Sequence, residues 1–178
     1  MTSRRALRAR IRCSMTVYNV MKLFHVVAAV VFVGGLFARQ AVRAYARKAD
    51  DVVWFANLSK AAMRIEDLMV KPGSIVVLVL GIIQAWLGGI PIFGFLSGGD
   101  QNWLLVSMIL YFGVFALVPA VFIPKGKAMQ TVLTDALSQG RITTELRAAM
   151  DDRAVTMAHR FEEFATLAVL VLMVLKPF

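Results

Sequence analysis

The sequence predicts an all-α integral membrane protein, a bundle of four transmembrane helices with helical cytoplasmic extensions. Three observations lead there. Of the 178 residues, 59% are hydrophobic and only 17% charged, against about 45–50% and about 25% in soluble domains. The apolar residues gather into four blocks without the period-two alternation of a barrel strand, at or near the roughly 20 residues that carry a helix across about 30 Å of hydrocarbon. The basic residues avoid those blocks and cluster between them. The net charge of +9 is therefore the flanking charge of membrane spans rather than a nucleic-acid footprint. The expected partners are the lipid bilayer and other membrane subunits or further copies of the chain, with no nucleic acid.

Residues 1–16 read as a basic leader, MTSRRALRARIRCS carrying five arginines, and residues 17–178 as one transmembrane domain. The leader has neither a cleavage pattern nor a lipidation box. Span one is expected at about 17–38, span two at 73–92 and span three at 103–123. Span four, at about 156–176, has an uninterrupted apolar run only from Phe164 to Leu175 and borrows polar residues from Thr156 onward.

Charge sets the orientation. The 39–72 connection carries Arg39, Arg43, Arg47, Lys48, Lys60, Arg64 and Lys71, and the 124–156 connection with the foot of span four carries Lys125, Lys127, Arg141, Arg147, Arg153 and Arg160. Between spans two and three, GGIPIFGFLSGGDQN has no Lys or Arg. Positive residues mark the cytoplasmic side, so both termini are expected outside, in a bacterial inner membrane. The leader arginines oppose this: either translation begins near Met15 or the topology is inverted.

The large connections read as helices continuing from the spans. Asp50 or Asp51 can cap the first, and Pro72 suits the first turn of span two. In the second, Gly140 stops one helix and Thr143 or Thr144 caps the next.

Few residues carry chemistry. The single cysteine, Cys13, forms no internal disulfide, and no zinc-type spacing occurs. His25 lies about seven residues into span one, where an ionisable group is costly; a neutral imidazole there can ligate a haem iron, relay a proton or hydrogen-bond across the bundle. His159 sits three and four residues before Glu162 and Glu163 on one helix face, and reads as an interfacial ion-pair cluster rather than a metal site. Antiparallel spans keep the two histidines apart, so they cannot share one haem. Arg64, Glu66, Asp67 and Lys71 form a charged patch able to meet an anionic head group or a propionate. Gly34, Gly35, Gly81, Gly88 and Gly89 allow close helix packing, and Trp54, Trp86 and Trp103 fit interface positions.

KLFHVVAAVVFVGGLF, then Arg64-Ile65, Pro72, Gly81 and Trp103, resembles the small four-helix proteins that include the HemJ type of protoporphyrinogen oxidase, the CopD copper-resistance domain and an uncharacterised predicted integral membrane family, the last being the nearest. The resemblance covers residues 18–123. It implies a haem b, or related tetrapyrrole, bound through His25 as axial ligand with Arg64 nearby, for electron transfer or tetrapyrrole handling. At Ser107 the chain departs from HemJ proteins, which carry a functional lysine four residues after that tryptophan, so oxidase activity is left open. The alternative from the residues alone is a non-enzymatic subunit of a larger membrane complex, with His25 a bundle hydrogen bond.

Overall fold

The computed structural model describes residues 2–97 and 101–177, with side chains for residues 15–96 and 101–177. Cys13 and the leader arginines have side chains outside the described residues. The chain runs through α1 (Thr2–Ala46), α2 (Val52–Ile65), α3 (Lys71–Leu87), a 3-10 turn at Gly94–Ser97, α4 (Trp103–Leu117), α5 (Ile123–Ser138), α6 (Thr144–Met150) and α7 (Arg153–Leu175).

Two proline-bearing junctions shape the bundle. Pro72 has no N–H to return to the carbonyl four residues back, and its ring crowds that carbonyl. The turn ahead of it widens into a π turn at Glu66–Val70, in which the Lys71 N–H reaches the Glu66 carbonyl. Pro119 and Pro124 bracket the same solution at Val118–Phe122, where the Ile123 N–H reaches the Val118 carbonyl. Each π turn adds one residue and so turns the two halves of its rod by about 100° relative to each other. Hence α2 and α3 form one continuous rod, as do α4 and α5. The second span is the far half of a helix that begins at Val52, with Pro72 in the first turn of that half.

Three helices are long and apolar enough to cross a membrane: Met15–Ala46, Val52–Leu87 and Trp103–Ser138. In α7, Arg160, Glu162 and Glu163 occupy the first half and leave the apolar run from Phe164. Their outer faces present bare apolar side chains, among them Phe24, Val30, Phe112 and Val171, a surface that hydrocarbon rather than water accommodates.

Within the apolar half the close backbone approaches are α1 with α3 and α4 with α7, giving two helix pairs. The α1–α3 seam is built on glycines. A Cβ at Gly35 would stand 2.6 Å from the Met69 Cβ, and one at Gly73 would stand 3.1 Å from the Phe32 Cβ. Gly34, one residue away, meets nothing and faces outward. Between the pairs, contact is carried by side chains. At one end Ala85 packs with Trp103 and Leu104 against Leu172 and Met173. Trp103 is thus 3% exposed, with the Lys176 ammonium 5.4 Å from its ring centroid, and not the belt residue expected. Trp86, 78% exposed, keeps a surface position.

At the basic end, α1, α2, α5 and α6 enclose a second core of Ala46, Ala49, Val52, Phe55, Ala136, Leu146 and Met150. Its caps follow the expected chemistry. Asp51 accepts from the Trp54 N–H at 2.6 Å and Thr143 from the Leu146 N–H at 3.2 Å, each satisfying a helix-terminal donor. Gly140 at φ +67° ends α5, in the left-handed region that glycine enters without a Cβ clash.

Candidate functional site

His25 projects from α1 against α3. A Cβ at Gly81 would lie 3.1 Å from its Cε1 and 3.5 Å from its Nδ1, so glycine at 81 is what admits the ring. The ring's Nδ1 is buried with no hydrogen-bond partner. A buried polar atom without a partner forgoes a hydrogen bond, and the His25 side chain lines a cavity of about 50 Å³ between the two helix pairs. Ser107, Met108 and Tyr111 line it from α4, and Val169 and Met173 from α7. The Ser107 hydroxyl donates to the Trp103 carbonyl at 2.8 Å and the Tyr111 hydroxyl to the Ser74 carbonyl at 3.3 Å.

The lining thus carries one imidazole, two hydroxyls and two thioethers. The space is the constraint. Small-molecule sites run to about 300–1,000 Å³, so the cavity is too small for a macrocycle as the helices stand.

Arg64 is not part of this site. It lies on the exposed face of α2, roughly 25 Å along the rod from Gly81 at 1.5 Å per residue. Its neighbours in the charged patch divide: Lys71 pairs with Asp67 at 2.6 Å on the surface, while Glu66 turns inward.

Glu66 joins a second polar centre, at the level of both π turns. Arg39 donates to Glu162 at 2.5 Å and lies 3.5 Å from Glu66, and Arg43 donates to Glu66 at 3.1 Å. Arg43 also bonds His159 Nε2, and His159 Nδ1 meets Glu162 at 3.1 Å. A guanidinium only donates, so Nε2 accepts, Nδ1 carries the hydrogen, and the imidazole is neutral. Phe122 stacks on that ring, with centroids 4.6 Å apart. Two cations, two carboxylates and one neutral ring balance. His159 and Glu162 thus sit in a cluster whose ionic members are Arg39, Arg43, Glu66 and Glu162. Arg39 and Arg43, counted among the loop charges by sequence, are its missing partners. The signal was present: Leu36, Arg39, Arg43 and Ala46 continue one inward stripe at helical spacing.

Residues 19–177 match the profile of a family described as a predicted integral membrane protein, DUF2269. The chain belongs to this family. No curated protein and no solved structure matches it. Membership accounts for the bare apolar faces of this DUF2269 protein, which lie against lipid, and for helices whose backbone bonds are satisfied within each segment.

Proposed function

We propose that the chain is a four-span protein of the HemJ-like group that binds haem b, or a related tetrapyrrole, through His25, with the macrocycle held between the α1–α3 and α4–α7 pairs. The observation that carries the reading is the buried, unpartnered Nδ1 of His25 at the seam between the pairs. When bound, haem supplies one-electron redox chemistry. The chain's own residues would do two things: Gly81 seats the ring of His25, while the apolar walls exclude water once the side-chain seam between the pairs has parted to admit the macrocycle. The fourth span is α7, entering from the ionic cluster and ending near Lys176 beside Trp103. The basic connections lie in the cytoplasm of a bacterial inner membrane, as the positive-inside bias requires.

The test is the absorption spectrum of detergent-purified protein from haem-replete cells. A Soret band in the wild type that vanishes in His25→Ala, with folding retained, supports the reading. A colourless wild type that copurifies with other membrane proteins supports instead the accessory-subunit reading.

A further inference from the structure

We infer that His159 is a proton-operated latch between the first and last long helices: on taking up a proton it replaces Arg43 as the second cation of the buried cluster, and Arg43 is released toward water. The latch works whatever His25 binds. As the cluster stands, the ring accepts from Arg43 through Nε2 and donates to Glu162 through Nδ1 at 3.1 Å, which only a neutral imidazole can do. A proton at Nε2 turns that acceptor into a donor facing a donor. It also sets two cations against each other where little water screens them.

Exposure decides which group yields. The side chains of Arg39 and Glu162 are 3% and 7% exposed and bonded to each other at 2.5 Å, so neither has water to turn to. Those of Arg43 and Glu66 are 31% and 26% exposed. Arg43 therefore leaves, and Glu66, already 3.5 Å from Arg39, keeps that partner. Charge stays balanced: Arg39 and the imidazolium then face Glu66 and Glu162, as Arg39 and Arg43 did before. Two balanced arrangements around one ring make a two-state element, biased by a local change of charge. The surrounding charges leave the exchange to these five groups. Phe122, from the π turn after α4, meets the ring as a neutral face. Arg47, one turn beyond Arg43 on α1, and Arg160 on α7 are exposed, and Glu163 is half-buried. Two turns toward the basic end, Lys125 of α5 and Asp152 are paired with each other at 2.7 Å. Because α1 belongs to one helix pair and α7 to the other, loss of the Arg43 bond loosens the pairs at their basic end while Arg39 and Glu162 hold the pivot.

The experiment places spin labels on Ala44→Cys and Met157→Cys, exposed positions of α1 and α7, in full-length Cys13→Ser protein held in lipid nanodiscs. Pulsed dipolar spectroscopy reads the distance between them at about pH 7.5 and about pH 5, the interval in which a histidine changes charge. The labelled parent is expected to shift to a longer distance at the lower pH. His159→Gln, whose amide accepts and donates without binding a proton, keeps the shorter distance at both. His159→Lys, permanently charged, shows the longer distance already at the higher pH. Arg43→Met, with no arginine to release, is insensitive to pH and tests the latch even where a change at 159 prevents folding. His25→Ala shifts as the parent does. A parent distance that does not change with pH overturns the latch, as does a shift that survives in His159→Gln or Arg43→Met, or one lost in His25→Ala.

Discussion

Arg39 and Glu162 lie 123 positions apart and meet at 2.5 Å with 3% and 6% of their surfaces exposed, joining the first and last long helices where the apolar half of the bundle gives way to the basic half. A buried pair of this kind adds little over a well-packed apolar pair, but leaving one partner alone costs about 3–5 kcal/mol. Arg39→Met and Glu162→Met are each expected to lower stability by that amount, and the double variant by less than either. Thermal unfolding in detergent measures this; additive losses would show that the pair is not coupled.

The two adjacent glycines of α1 separate space from propensity. Gly35→Ala forces a Cβ to 2.6 Å from Met69, an overpacking that costs about 1–3 kcal/mol. Gly34→Ala meets nothing and gains up to about 1 kcal/mol of helix propensity. Opposite shifts of the unfolding midpoint are expected, and equal shifts would contradict the close α1–α3 seam.

Asp152 caps α7 by accepting from the Val155 N–H at 3.1 Å, and Lys125 donates to it at 2.7 Å. The Lys125 bond first, and the Val155 N–H next, hold its carboxyl below the usual carboxylate range. Its folded form therefore binds the proton less readily than the unfolded chain, so its contribution is full above about pH 4 and drains away as pH falls through the depressed folded value. Unfolding followed against pH should show this acid loss in the wild type and a flatter acid limb in Asp152→Asn.

Topology is open to labelling. In a Cys13→Ser background, Phe95→Cys should react with an impermeant maleimide on intact cells and Lys127→Cys only after permeabilisation. The reverse pattern would invert the orientation, and reaction at both would remove the span between them.

Much of the architecture was readable because hydrocarbon imposes a length and a composition that the blocks at 17–38 and 103–123 meet outright. Helix α7 reads weakly as a span because its first half spends its polarity on the cluster, Glu162 and His159 being turned toward Arg39 and Arg43. The π turns were invisible, since Pro72, Pro119 and Pro124 are equally compatible with a helix start, and only the continuous rod reveals a helix passing through them. At the site, His25 and Gly81 stood out by type and position. The roughly 25 Å of rod between Arg64 and Gly81 is visible only once α2 and α3 are seen to be continuous.

The account stands on His25 as a ligand rather than a packing residue. The most direct measurement is a hemin titration of purified wild type and His25→Gly, the latter with and without free imidazole. One hemin per chain in the wild type, little uptake in His25→Gly, and uptake restored by imidazole filling the vacated ring position are the predicted results. Equal uptake by both proteins, or none by the wild type, would contradict it.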